Sequence, residues 1–353
     1  MSVISNFRKR LALPQTSWQL CLLAIIGGSA AASMVILFSL TIDAIKACYA
    51  ILFGNYNSLN LLSRLLLPLS GIIIIILLSW LTGYQYTRAG IPFVLHRLKV
   101  SYGVMPLRNT INQFFGGAFA LASGFSVGKE GPSVHLGAAC AGYIGNKLNL
   151  PYNSIRTLCA CGIAAGISAC FNTPIAAVMF VMEVILREYK IHVFIPVMLA
   201  AIIGSLITRY SLGSIHEFEF FVKFSLNIAY YPYLVVFGIF IGILASLFNH
   251  QLIYLIKRFQ HVSIVKRLIS AALITAFLSY FLPNAYNGGM SQVSFALYNQ
   301  WQFQLIATAL LAKLLMTIIA LGLGIPGGII GPILSIGAIA GVFASFIIGQ
   351  LTG

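Results

Sequence analysis

Apolar runs recur from one end of this chain to the other, at 20–40, 65–81, 193–207, 234–247 and 305–323. A helix needs about 20 apolar residues to cross the hydrocarbon of a bilayer. The first and last runs meet that length, and the others fall short. Short apolar segments broken by Gly and Pro are the signature of half-crossing or re-entrant helices. The chain has 59% hydrophobic and 8% charged residues, where a soluble fold carries about 25% charged residues. So few ionic groups cannot coat a water-facing surface, so lipid is the main solvent. The expected fold is an all-α multi-spanning membrane protein with broken and re-entrant helices. The first run follows a basic start, but it is too long for a signal peptide and lacks a small-residue cleavage site, so it reads as a span.

A net charge of +15 raises the possibility of a nucleic-acid partner, but the basic residues are scattered and flank apolar segments. They read better as topology signals. Arg8, Lys9 and Arg10 place residues 1–16 in the cytoplasm of a cell (inner) membrane protein. Two spans later, Arg88, His96, Arg97, Lys99 and Arg108 form a second cytoplasmic cluster, and Lys257, Arg258, Lys266 and Arg267 form a third. Residues 17–210 then make a first membrane region and 230–353 a second. Between them lies an external loop, 211–229, holding Glu217 and Glu219. The six cysteines lie in or beside apolar stretches, without zinc-site spacing, and read as small buried hydrophobes. No metal or cofactor is expected.

Only six acidic residues occur. Glu188 sits beside Arg187 and Lys190, and Asp43 ends the first span at an interface. Glu130 and Glu183 fall within or at the end of apolar helical patterns, where an ionisable group is a functional candidate. For Glu183, a carboxylate satisfied by backbone donors or a nearby base is an equal alternative. Glu130 stands in Gly128-Lys129-Glu130-Gly131-Pro132, and two other places share this build: Arg88-Ala89-Gly90-Ile91-Pro92 and Gly324-Ile325-Pro326-Gly327-Gly328-Ile329-Ile330-Gly331-Pro332. Each is a Gly/Pro interruption followed by a new helical run. Non-helical backbone at membrane depth survives where it is buried in protein or lines a cavity. A helix start offers N–H donors and about half a positive charge, which suits an anion. Several starts meeting at one point replace part of a halide's hydration without holding it too tightly. A neighbouring carboxylate competes with the anion when ionised and withdraws when protonated, and Glu130 is placed to gate in this way. The alternative is that all three are packing kinks.

These motifs resemble the CLC chloride channel and chloride/proton transporter family. The likeness runs through Gly128-Lys129-Glu130-Gly131-Pro132, then Gly162-Ile163-Ala164-Ala165-Gly166, Phe171-Asn172-Thr173-Pro174 and Phe180-Val181-Met182-Glu183, and ends at Pro326-Gly327-Gly328-Ile329-Ile330-Gly331-Pro332. The resemblance implies a homodimer of CLC-type inverted repeats with one pore per subunit, carrying chloride or a similar small anion, with protons as the partner where transport is coupled. It implies anion contacts from the amides of Lys129, Gly131, Ile329, Ile330 and Gly331. It also places Ala89, Gly90, Ile91 and Pro92 on the pore wall.

The chain departs from the family pattern in four places. Ala89 stands where the family has an ion-contacting serine. Val184 stands where its transporters have a proton-transferring glutamate, leaving Glu183 as a possible substitute on a proton path. Ile330 replaces a usual Phe. The second region, ending at Gly353, is shorter than the first, so the second repeat is expected to be incomplete. A non-transporting scaffold or partner subunit is therefore the alternative function. Gly124-Phe125-Ser126-Val127-Gly128 matches a hydrolase elbow, but no soluble α/β sheet is available to present it, and no enzyme is expected. His135 reads as a packed helix residue. Gly162-x-x-x-Gly166 and Gly337-x-x-x-Gly341 read as close helix contacts.

Overall fold

Glycine and proline decide where the helices of this chain stop and start. The computed structural model describes residues 18–54, 60–83, 90–213, 231–281 and 303–352. Arg8, Lys9, Arg10, Arg88, Ala89, Glu217 and Glu219 lie outside the described residues. Among those described, the structure is helical: α1 (Trp18–Phe53), α2 (Leu61–Thr82), α3 (Gly90–Val100), α4 (Leu107–Ile111), α5 (Gly117–Ala122), α6 (Glu130–Lys147), α7 (Tyr152–Phe171), α8 (Pro174–Phe180), α9 (Ile191–Leu212), α10 (Tyr231–Phe259), α11 (Ile264–Phe281), α12 (Phe303–Leu323) and α13 (Ile330–Thr352). Single π-turns, Asn112–Gly116 and Val181–Leu186, follow α4 and α8. Seven of the described helices are long and apolar enough to span a bilayer.

Several runs that look short in sequence belong to full-length helices. The 193–207 run grows into α9, of 22 residues, and the 234–247 run into α10, of 29. His192, Arg209 and flanking tyrosines extend the helix without being apolar. The first span is longer than its apolar core too. At 36 residues, α1 measures about 54 Å and runs on past Asp43, which sits exposed inside the helix rather than at its end. The truly short helices are α3, α4, α5 and α8, and all lie next to Gly, Pro or a π-turn.

The chain divides into two compact units, one of residues 1–45, 77–118 and 129–216, the other of residues 46–76, 119–128 and 217–353. In the first, α7 is the central element, with 83% of its apolar window buried. Its sequence is rich in Gly, Ala, Cys and Ser, which lets neighbouring backbones approach closely, the usual basis of helix association in lipid. Gly162 lies against the carbonyl of Gly137 on α6, and Gly166 against the carbonyl of Ser133. On the opposite side Gly204 of α9 lies against Ala165. Hydroxyls tie α7 and α9 together: Ser168 Oγ donates to the Ala201 carbonyl at 2.6 Å and Thr208 Oγ1 to that of Ala169 at 3.2 Å. Asn172 ends α7 in the left-handed region, at φ 54°, and its Oδ1 accepts from Ser205 and Arg209. Pro174 then opens α8 in the first turn, where a missing N–H costs nothing.

In the second unit α12 is central. It packs against α10 and α13 through Phe248, Leu252, Ile306, Leu310, Ile336 and Ile339. It meets α11 and part of α2 through Ile72, Ile75, Leu268, Ala272 and Leu323. Only 6% of the apolar window of α10 is buried within the chain, so lipid or another polypeptide must cover the rest. Among the described residues a Cβ on Gly337 would meet nothing within 4 Å and one on Gly341 only the tip of Phe237, so the second small-residue motif makes no close helix contact among them. The first does. Cys159, Cys161 and Cys170 are buried as expected, whereas Cys48 is exposed.

Candidate functional site

The two most elaborate chain breaks are built alike. At the end of α5, the Phe125 N–H donates to the Ala120 carbonyl at 3.3 Å and that of Gly124 to Leu121 at 3.5 Å. At the end of α12, Ile325 donates to Ala320 at 2.9 Å and Gly324 to Leu321 at 3.2 Å. This is the Schellman pattern, which needs a left-handed residue at its fifth position. Gly124 (φ +82°) and Gly324 (φ +96°) supply it. The chains then run antiparallel at one point. The Gly128 N–H donates to the Gly328 carbonyl at 2.8 Å, and the Gly328 N–H returns the bond to Gly128 at 2.7 Å. A new helix starts immediately after each glycine, with Ser133 donating to Lys129 and Ile333 to Ile329, both at 3.1 Å.

Space at this crossing is limiting. A Cβ on Gly327 would run into the side chain of Val127. Gly327→Ala is expected to lower stability by about 1–3 kcal/mol through overpacking, read as a drop in the thermal midpoint in detergent. An unchanged midpoint would show that the crossing tolerates separation.

Glu130 is the first residue of α6 and is 1% exposed. The first turn of a helix has N–H groups that no carbonyl of the same helix accepts, and Pro132 lies in that turn, packed against Gly117. Lys129 caps the helix in αR conformation without a side-chain capping bond. Its ammonium instead lies 5.7 Å from the centre of the Phe171 ring, a cation–π distance. That arrangement engages the Lys129 charge with an aromatic face and leaves the backbone as its contribution to the helix start. One turn on, His135 is fully buried, stacked on Phe93 of α3 and 3.1 Å from Thr110 Oγ1 through Nε2. It is a packed helix residue.

The third break behaves differently. Gly90 begins α3 at φ +66°, and its N–H donates to Gln113 Oε1 at 3.2 Å. A buried side chain from the Asn112–Gly116 π-turn thus takes up the first amide of this helix. Ile91 is half-buried and Pro92 exposed. Glu183 lies in the second π-turn and is exposed on this chain, and Val184 is half-buried.

Three buried polar residues stand outside the sequence-based expectations. Gln113 carries no pattern that marks it. Ser126, noted only for its hydrolase-like setting, shares a 2.8 Å hydrogen bond with Thr317 on α12, which accounts for its burial. Lys313 is fully buried in the middle of α12 and is the only charged residue of that helix. Its signal was available, since a lone cation in an apolar span is a functional candidate as much as a lone acid is. Among the described residues no cluster of His, Cys, Asp or Glu could hold a metal ion.

A family profile described as "Voltage gated chloride channel" matches residues 70–353. The chain belongs to the voltage-gated chloride channel family. Among relatives of this family, a putative chloride channel protein, ClcB-like, of Ralstonia nicotianae is 29% identical over 79% of this chain and 67% of its own length. An H(+)/Cl(-) exchange transporter, ClcA, of Citrobacter koseri is 27% identical over 65% of this chain and 50% of its own length. The chain thus spans half to two thirds of the length of these relatives. Two solved structures resemble the fold closely. One, of a slow cyanobacterial Cl-/H+ antiporter, has a TM-score of 0.81 at 21% identity, covering 94% of this chain and 80% of that one. The other, of a CLC-type fluoride/proton antiporter, has a TM-score of 0.79 at 26% identity, covering 94% and 82%. A protein of this family with seven spanning helices is a multi-pass membrane protein.

Proposed function

We propose that the protein carries chloride or a similar small inorganic anion across the bilayer, using helix-start amides as ligands and Glu130 as the gate. The observation that carries this reading is a carboxylate buried at the first residue of a helix packed on the spanning helix α7, following a loop locked to its counterpart by two backbone hydrogen bonds. Anions suit helix starts, and a neutral amide cradle binds without the strong hold of a fixed cation. The ligating amides are those of Lys129, Gly131, Ile329, Ile330 and Gly331. The wall includes Ala89, Gly90, Ile91 and Pro92. The hydrogen bond from Gly90 to Gln113 favours a lesser role for the third helix start, since one of its donors is engaged.

Proton coupling in this reading is weak, because Val184 cannot relay a proton and Glu183 is exposed. The working form is a homodimer in the cell membrane with a cytoplasmic N-terminus. The deciding experiment is reconstitution into liposomes with an anion-efflux readout. Flux well above empty vesicles supports transport, and none from well-folded protein would favour a scaffold.

Selectivity supplies a separate prediction. Ala89 offers no hydroxyl, so Ala89→Ser adds a hydrogen-bond donor at the proposed wall. A net bond of about 1 kcal/mol shifts the chloride preference over fluoride about five-fold. Equal permeability ratios in both proteins would discard Ala89 as a pore residue.

A further inference from the structure

Away from the chain breaks, the first unit holds a cavity of about 350 Å³ formed by the end of α3, the start of α7, the end of the second π-turn and Arg187 just after it. Ligand pockets are commonly of about 300–1,000 Å³. Its wall carries three cations, Lys99, Arg156 and Arg187, together with Asn153 and an aliphatic floor. Tyr102 and Tyr152 form the rim, stacked with ring centres 4.3 Å apart and both exposed. Exposed tyrosines at helix ends sit at headgroup depth in membrane proteins.

The charge of this cavity is unbalanced. Glu188 takes Lys190 at 2.6 Å and Arg156 at 3.3 Å. The Lys190 hydrogen bond, helped by Arg156, holds the Glu188 carboxyl below its ordinary range, so it is ionised at neutral pH. Among the described residues, Lys99 and Arg187 make no ion pair.

The backbone points to the same place. Among the described residues, four non-glycine residues have positive φ: Tyr102, Asn149, Asn172 and Arg187. Asparagine tolerates this region. Tyrosine and arginine do not favour it, and both of these line the cavity, at φ 50° and 57°. Strained backbone of this kind gathers at ligand clamps.

We infer that this cavity binds a phosphate group, presented by an anionic lipid headgroup or by a soluble phosphate, at the membrane surface. Arginine side chains match phosphate oxygens in pairs, and lysine adds a point charge. The tyrosine rim sets the depth, and the first turn of α7 adds N–H donors on the same wall.

The test uses purified full-length protein in neutral detergent, titrated with inorganic phosphate in one arm and dioctanoyl phosphatidic acid in the other, with the thermal midpoint as readout. A saturable rise in either arm is expected, weaker at high salt. Lipid alone identifies a headgroup site, inorganic phosphate alone a soluble ligand. The double variant Lys99→Gln/Arg187→Gln is expected to weaken apparent binding about ten-fold or more while keeping its ligand-free midpoint. Lys257→Gln/Arg258→Gln, with the same charge change on α10, is expected to bind as the wild type does. No midpoint rise in either arm, or equal loss in both double variants, overturns the proposal.

Discussion

Glu130→Gln is expected to abolish the pH dependence of anion flux. The carboxyl is buried at a helix start, where its ionised form occupies the environment that suits an anion. Conduction then requires the neutral form. One pH unit above its pKa a carboxyl is about 10% protonated, so a permanently neutral amide there raises flux about ten-fold. The variant should run at the acid-side rate of the wild type at every pH, measured as initial efflux from liposomes at matched protein density. Glutamine keeps the size of the side chain and its neighbours, so the thermal midpoint should hold. A variant that is stable and still shows the wild-type pH profile would move the gate elsewhere.

Gly162→Leu is expected to prevent folding, and Gly162→Ala to weaken it measurably. A Cβ at this position meets the Gly137 carbonyl and lies 2.6 Å from the Ala141 Cβ. Neither neighbour is a flexible chain end that could swing away. One is helix backbone, and the other is a methyl carried directly on it. Accommodating even a methyl therefore requires α6 and α7 to separate along their shared face, at about 1–3 kcal/mol for overpacking. A leucine asks for a displacement that the rest of α7 cannot follow, because Ser168 and Thr208 hold the α7–α9 contact by hydrogen bonds. The yield of monodisperse protein and its thermal midpoint report the result. Since α6 begins with Glu130, the alanine variant should also lose flux in step with stability. A leucine variant with a wild-type midpoint would show that this contact is dispensable.

The sequence made some of this structure plain and hid the rest for physical reasons. Gly128-Lys129-Glu130-Gly131-Pro132 announced a helix start because proline and glycine restrict backbone geometry locally, and α6 begins there. Asn172 before Thr173-Pro174 was equally readable. Helix lengths were not, because hydropathy records what lipid tolerates, and α1 and α9 continue through polar residues at their ends. The match between the two Schellman turns was hidden, since Ala120 and Ala320, or Phe125 and Ile325, share a role through backbone bonds rather than side-chain chemistry. Gln113 and Thr317 act across long stretches of chain, and nothing near them in sequence advertises their partners. Glu183 reads as an acid within an apolar helical pattern because its neighbours are apolar, yet it lies in a π-turn and is exposed on the surface of the chain.

Parting Gly128 from Gly328 means breaking two backbone hydrogen bonds between buried residues, where little water can replace them, a loss of several kcal/mol. That junction behaves as a rivet, and thermal agitation will seldom pop it. If ions pass beside it, the joint itself does not give way, and admission and refusal fall to whatever can swivel next to it. A side chain turning beside it keeps its own tempo, and exposed rotamers flip in picoseconds to nanoseconds.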